Sequence, residues 1–411
     1  MRVAVIGAGM AGLAAARQLA ARGADVRLFE AGARRGGRVR TETGEEWGGE
    51  WLDADHLRAL ALCADLGLTA VRDAPEYLLA HGGRRALRRS PWPEAQEDVA
   101  RFEARAEQEA RALEGTPPEL DARSVAEFVQ ETCQSEAGRW LATAVTRSDE
   151  GDDLDKVSQL GWLSDRRLYL DRGQGDASAY RVAEGMQALA DRLWLGDVCC
   201  GAKLVSCVEE GAGLKLAFAD GTTERTEAAI VTIPPRAARA VMFKPPLPAC
   251  ATAALEAIGM TRTVKTILRF DRAWWRDEGW TGYLLTDRRI QQVWLEPFAP
   301  FPTLCVYTCG ADAVALAAEA DPVAAALVDL AALFPAAPEL FEGGTFVDWI
   351  GERGIGGGFS LLPPGAASLR ADLPRRHGRV FFAGEHLATW RGFLEGALES
   401  AESAVTAMMT A

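Results

Sequence analysis

Val3, Ala4, Val5 and Ile6 follow one another without a polar break and stop at Gly7. Such a run predicts a strand from Arg2 to Ile6, and Gly7 to Gly12 reads as the turn after it. Residues 13–22 are Ala-rich and helical, Gly23 is their stop, and 25–29 form a second strand, so the chain opens β-turn-α-β. Residues 94–115 mix Ala, Glu and Arg and predict a solvated helix, which Thr116-Pro117-Pro118 ends. The acidic stretch 149–153 reads as a connection between helices. From Leu204 the pattern alternates: 214–218 is a strand, 219–222 a hairpin turn, and 229–233 a strand stopped by Pro234-Pro235. A short helix near 249–258 precedes a strand over 263–270. Residues 312–333 read as helical and 355–365 as a loop. A strand over 380–383 and a final helix from about Gly392 close the chain.

Length and charge narrow this picture. A chain of 411 residues suggests two domains, or one large domain with an inserted lobe. With no repeat or low-complexity linker, the lobes are expected to interleave. The net charge of −13 argues against nucleic acid and anionic lipid as partners. No apolar run reaches the roughly 18–20 residues of a membrane span. Met1 leads straight into the first strand with no signal peptide, so a cytoplasmic location is expected. The eight cysteines are scattered without C-x-x-C spacing, which predicts reduced thiols, no disulfide framework and no metal.

Chemistry enters with Gly7-Ala8-Gly9-Met10-Ala11-Gly12, a G-x-G-x-x-G between strand and helix. Gly7 permits the tight turn, Gly9 lets backbone approach a pyrophosphate, and Gly12 lets helix pack on strand. The helix amides, among them those of Met10 and Ala11, face the phosphates. Glu30 ends the second strand 18 residues after Gly12, where a carboxylate accepts ribose hydroxyls and repels a 2′-phosphate. Arg35-Gly36-Gly37-Arg38-Val39 then resembles the GR2-type flavoproteins, in which this segment brings an Arg, here Arg38 after Gly37, to the flavin diphosphate. Glu46 to Asp53, containing Gly49, Glu50 and Trp51, resembles the family segment whose small residues lie against the flavin.

Gly384-Glu385, followed by Gly392-Phe393-Leu394-Glu395-Gly396, resembles the closing signature of flavin-dependent amine oxidases. That resemblance puts Gly384 and Glu385 at the ribityl–diphosphate region and Gly392, Phe393 and Leu394 at the flavin's pyrimidine edge. A helix start there stabilises negative charge. Lys265 lies in Thr263-Val264-Lys265-Thr266-Ile267, similar to the family strand whose lysine holds a water against flavin N5. By period two it shares a face with Ile267, an unusual place for Lys in a buried strand; the alternative is a snorkelling edge-strand lysine. Val205 matches the strand that clasps adenine, with core packing as the alternative. Trp349 fits the loop beside the flavin. Two features depart from monoamine oxidases. Gly356-Gly357-Gly358 stands where they carry the flavin-linking Cys, and their two-tyrosine cage is dismantled, one position falling on or beside Gly358 and the other being Phe393.

The expected fold is α/β: a Rossmann-like FAD-binding domain of the GR2 type (1–73, 177–254, 350–411) with an interleaved α+β substrate domain (74–176, 255–349). Lys265 is the candidate catalytic residue. Trp349, Gly358 and Phe393 are the candidate substrate pocket, and the cofactor is non-covalent FAD. The implied reaction oxidises a small-molecule amine to an imine, with O2 reduced to H2O2. The alternatives are an amino-acid oxidase, which needs an Arg in the pocket, a flavin desaturase, or a flavin-binding scaffold with little turnover. A homodimer is compatible with the sequence.

Overall fold

The computed structural model describes residues 1–173 and 176–411. The opening strand Arg2–Ile6 lies inside a six-stranded sheet, paired in parallel with Asp25–Phe29 on one side and Ala228–Val231 on the other. Val380–Phe382 extends that sheet in parallel, and Val198–Cys199 flanks Asp25–Phe29. The unbroken apolar run has a simple cause, since both faces are covered. Val3 and Val5 face the helices Met10–Ala21 and Leu394–Met409. Ala4 and Ile6 face Leu204, Leu214, Leu216 and Phe218 of a four-stranded sheet. First and last helices thus share one core, which carries both chain ends to the same site.

A seven-stranded sheet runs in the order Phe341–Asp348, Thr263–Phe270, Thr303–Cys309, Gln292–Leu295, Leu284–Thr286, Leu78–His81 and Arg84–Leu87. Val264, Leu268, Leu304 and Val306 turn to one face, against Trp274, Trp280, Phe334 and the helices Gly310–Ala317 and Pro322–Ala331. Ile267, Cys305 and Trp294 turn to the other, where a second aromatic core forms. The helices Pro93–Ala112, Val125–Thr132, Glu136–Glu150 and Gln159–Arg172 make up a helical part around Phe102, Phe128 and Trp162. Ser124, Ser135 and Ser158 cap three of them.

Two expectations change. The Ala-rich stretch 312–333 is two helices, because Asp321 accepts the Ala324 N–H at 3.0 Å and Pro322 starts a new helix behind that cap. The loop 355–365 contains a short strand, Ser360–Leu361, paired with Gly259–Met260. Among the described residues, no helix is long and apolar enough to cross a membrane.

The acidic connection after helix Glu136–Glu150 is a rivet as well as a link. Asp152, fully buried, accepts the Arg262 backbone N–H at 2.9 Å and its guanidinium Nε at 3.1 Å. Asp153 pairs with the same Arg262 at 3.1 Å. The helical part is thereby fastened to the root of strand Thr263–Phe270. Asp152→Ala strands part of that network and should cost roughly 3 kcal/mol. Calorimetry should read this as a lower Tm with secondary structure intact, and an unchanged Tm would contradict the assignment.

Candidate active site

The glycine turn has the close contacts its spacing predicts. A Cβ on Gly12 would lie 1.8 Å from the Gly7 carbonyl oxygen, and Gly7 itself takes φ +102°. Gly9 is the N-cap of the first helix and offers no side-chain cap. The N–H groups of Met10, Ala11 and Gly12 find no acceptor among the described residues, and the first bonded amide is Leu13, on Gly9 O at 2.9 Å. Gly37 closes on this turn, since a Cβ there would lie 3.0 Å from Gly9 Cα. Glu30 sits alongside, its two oxygens accepting the Ala8 and Gly32 N–H groups, each at 2.7 Å. Unpaired amides, a bare glycine floor and a carboxylate at the strand end fit an adenosine diphosphate. Val205 occupies a β-bulge and is 38% exposed. Core packing is therefore excluded for it, and its backbone lies off the ladder.

Glu385 joins four segments. Its buried carboxylate accepts Arg38 NH1 at 2.9 Å, the Ser360 N–H at 3.0 Å, Ser360 Oγ at 2.7 Å and the Gly392 N–H at 2.9 Å. Burial alone would raise its pKa, but Arg38 and these donors hold it down at about 2. Arg38 also donates to Gly358 O at 3.0 Å. Gly384, with φ +146°, leads into this hub, and Gly392, with φ +83°, leads out toward Phe393 and Leu394 at the start of the last helix. Gly358 packs closely on strand Thr263–Phe270: a Cβ there would meet Thr263 Oγ1 at 2.4 Å. The loop's aromatic is its neighbour Phe359, whose ring lies against Gly392 and Gly151.

Lys265 is buried on strand Thr263–Phe270, which is paired on both sides. The edge-strand alternative is thereby removed. Its ammonium donates to Glu46 O at 2.9 Å, Gly48 O at 2.7 Å and Glu50 Oε1 at 3.2 Å. All three N–H groups go to chain acceptors, so a water held by Lys265 would have to share one of them. Burial works against the ammonium, but Cys305, Glu50, Glu296 and Glu46 around it raise its pKa above the ordinary value. The same turn carries Gly49, around whose Cβ position nothing lies within 4 Å, and Trp51. Trp349 Nε1 donates to Trp47 O at 2.8 Å and fixes the turn from the other side. Trp294 lies 5.2 Å from Lys265 Nζ and 5.4 Å from the Tyr307 ring. Aromatic rings thus gather beside the 46–50 turn.

Several residues of the site escaped the sequence reading. Arg181 and Glu296 join the Lys265 cluster from distant segments, with no local motif to mark them. His56, three residues past the quoted block, packs 4.9 Å from the Phe393 ring and accepts the Asp53 N–H on Nδ1 at 3.0 Å. Asp149, next to last in helix Glu136–Glu150, keeps accessible space around its side chain yet lies deep enough that burial pushes its carboxyl up to about 7, with Arg88 opposing. Arg172 lies 4.6 Å from the Trp390 ring and makes no ion pair among the described residues.

The family model for flavin containing amine oxidoreductases matches residues 10–409. The chain belongs to that family. FAD is therefore its cofactor, and the oxidation of an amine is its chemistry. An L-amino acid dehydrogenase of Synechocystis is 25% identical, over 98% of this chain and 94% of its own length. An L-amino-acid oxidase of Siganus canaliculatus is 26% identical, over 98% of this chain and 84% of its own. The solved cyclohexylamine oxidase from Brevibacterium oxydans has the same fold, with a TM-score of 0.87 and 24% identity over 100% of this chain and 98% of its own.

Two imidazoles of this amine oxidoreductase make its stability depend on pH. Burial pushes His56 and His386 down to about 4, so both stay neutral in the fold. Unfolded, each takes a proton near 6.5. The stability each contributes is full above 6.5 and lost as pH falls toward 4, about 3 kcal/mol per ring at most. Burial raises Asp53 and Glu46, to about 6 and about 7, and these pull the other way. The clean readout is therefore a difference: His56→Asn should gain Tm relative to wild type between pH 7 and pH 4.5. A pH-independent difference would mean His56 does not titrate as described.

Proposed function

We propose that this protein oxidises the CH–NH2 group of a small amine, releasing an imine that hydrolyses, with O2 as electron acceptor and H2O2 as product. The observation that carries the reading is the buried Lys265 ammonium, fixed to the 46–50 turn beside a cluster of aromatic rings. Bound FAD supplies the acceptor for the hydride equivalent. Gly7, Gly9, Met10, Ala11, Gly12, Glu30, Gly37 and Arg38 would hold its adenosine diphosphate, with Val205 beside the adenine. Gly384, Glu385, Gly392, Phe393 and Leu394 would hold the remainder, and Gly49, Glu50 and Trp51 the reactive edge. Trp47, Trp51, Trp294, Tyr307 and Trp349 would exclude water and orient the substrate's α-C–H. Desolvation among such rings favours the uncharged amine. The Asp149 carboxyl can attract the incoming ammonium and take its proton.

A two-part division of the chain goes with this reading. Strands of the six- and four-stranded sheets come from 1–73, 177–254 and 350–411, and those of the seven-stranded sheet from 74–176 and 255–349. Only the Gly259–Met260 and Ser360–Leu361 pair crosses the division among the sheets.

A second reading, an amino acid as substrate, is favoured by Arg172. Its guanidinium over Trp390 is the carboxylate partner such a substrate needs. Anaerobic mixing with a panel of amines and amino acids separates the two. Simple amines should bleach the flavin, and admitting O2 should restore the colour while producing H2O2. Bleaching by amino acids alone would move the second reading ahead, and a reduced flavin that persists in O2 would make the protein a dehydrogenase.

The attachment of the flavin is testable separately. The Gly356 to Gly358 turn offers no thiol. Acid precipitation should therefore leave a colourless pellet and free FAD in the supernatant, and a yellow pellet would contradict non-covalent binding.

A further inference from the structure

Lys265 belongs to a buried charge cluster larger than its own hydrogen bonds. Glu50 Oε1 lies 3.2 Å from Nζ, and Arg181 NH1 lies 3.5 Å from Glu50 Oε2 and 3.8 Å from Glu296 Oε2. Arg181 also lies 3.2 Å from Asp73 Oδ2 and stacks 3.8 Å above the Trp51 ring. Oxygens of Glu50 and Glu296 and Cys305 Sγ lie within 4.8 Å of one another. Glu46, whose carbonyl Lys265 holds, is the fourth carboxyl of the group. Facing these from behind are Tyr77 and Tyr283, the latter donating to Asp73 at 2.7 Å.

We propose that Glu50 is a positioning residue, the one ionised partner that keeps Lys265 an ammonium and pins it to the 46–50 turn. The proposal rests on the reading that this turn faces the flavin. Its first support is a charge count. Two cations, Lys265 and Arg181, stand against four carboxyls, Glu46, Glu50, Glu296 and Asp73. Full ionisation would leave two uncompensated negative charges among aromatic rings, which burial does not tolerate. Protons must therefore stay on the carboxyls least supported as anions.

Hydrogen bonding identifies them. Glu296 receives a single donor, the Glu46 N–H at 3.3 Å on Oε2, while its Oε1 is buried without a partner. It is the poorest anion of the set, and burial raises it well above the carboxylate range. Glu46 is intermediate: burial raises it, although Met186 N–H and Thr41 Oγ1 bond its oxygens at 2.8 Å and 2.9 Å. Glu50 has the Lys265 ammonium on one oxygen, while the other is buried without a hydrogen bond and facing Arg181. A neutral Glu296 and an ionised Glu50 leave Lys265 with one full counter-charge and two carbonyl dipoles. Removing that counter-charge leaves the two carbonyl bonds to oppose burial and Arg181, both of which favour the neutral amine, so the pKa of Lys265 falls.

The test titrates the flavin of the purified holoenzyme without any amine substrate, reading absorbance and midpoint potential from pH 6 to 10. Lys265→Met should lower the potential throughout, because it deletes a positive charge beside the reduced flavin. Wild type should show no break from Lys265 in this range. Glu50→Gln should start near wild type, then fall to the Lys265→Met value as pH rises and the amine loses its proton. Glu296→Gln, which imitates a carboxyl that keeps its proton, should track wild type. In the double variant Lys265→Met with Glu50→Gln, the potential should equal that of Lys265→Met alone, because Glu50 acts through Lys265. The double variant removes one charge of each sign, so it reports even if Glu50→Gln alone does not retain FAD.

The proposal is overturned if Glu50→Gln tracks wild type, if Glu296→Gln behaves like Lys265→Met, or if Glu50→Gln shifts the potential further in the Lys265→Met background. A Lys265→Met protein whose flavin is unmoved would instead remove the underlying reading that Lys265 stands at the flavin, and this proposal with it.

Discussion

A carboxylate buried at the meeting point of four segments organises the cofactor side of this protein. Glu385 accepts from Arg38, from both donors of Ser360 and from the Gly392 N–H. An ion so far from water survives only if its lone pairs are filled, and here each donor comes from a different stretch of chain or a different group on it. Arg38 belongs to the segment after the first βαβ unit, Ser360 to the loop returning from the seven-stranded sheet, and Gly392 to the turn that starts the last helix. Bringing them to one carboxylate sets the glycine turn, the flavin-facing loop and the final helix in mutual register. The shared core of the first and last helices supplies the apolar counterpart of the same constraint.

The second constraint is the ammonium of Lys265. A seven-stranded sheet and a dinucleotide-binding sheet have no intrinsic reason to meet at a fixed distance. Lys265 reaches from the former to the backbone carbonyls of Glu46 and Gly48, and Trp349 reaches from the end of the sheet's outer strand to Trp47 O. Both side chains bind backbone carbonyls of the turn, and Lys265 adds a bond to the Glu50 side chain. The 46–50 turn and the aromatic rings beside Lys265 are thereby parts of one structure. Chemistry at this seam follows from that geometry.

How far the sequence was legible depended on whether a signal was local. The strands Arg2–Ile6, Asp25–Phe29 and Thr263–Phe270 read true to the residue, because sandwiched strands leave unbroken or strictly alternating apolar runs. The glycine turn read true because its spacing is itself the constraint. Periodicity also put Lys265 on the Ile267 face, although it could not reveal that three chain acceptors would saturate the ammonium. The Ala-rich stretch 312–333 misled because Ala continues a helix on either side of a break, and the stop lay in the Asp321 cap and Pro322. Arg181, Glu296 and Asp149 left no local trace. Their roles come from tertiary charge balance, which spans more than 100 residues of chain.

The division of labour between the two halves bears on what the enzyme recognises. Amines and amino acids present the same C–N bond to the flavin, so the parts that hold FAD and Lys265 serve either substrate equally. What distinguishes them is the carboxylate that an amino acid carries on the same carbon as its amine. The groups able to sense it, Asp149 at the end of helix Glu136–Glu150 and Arg172 at the end of Gln159–Arg172, both come from the helical part. They carry opposite signs. Asp149 has Arg88 as an opposing charge, and Arg172 lies over Trp390 beside His56 and Phe393. A substrate carboxylate would gain from Arg172 and lose to Asp149, whereas a simple amine gains from Asp149 and leaves Arg172 stacked on its indole. On the proposed reading, selectivity would turn on which of the two helix ends approaches the bound molecule, with Trp390, His56 and Phe393 of the flavin-binding half setting where Arg172 stands.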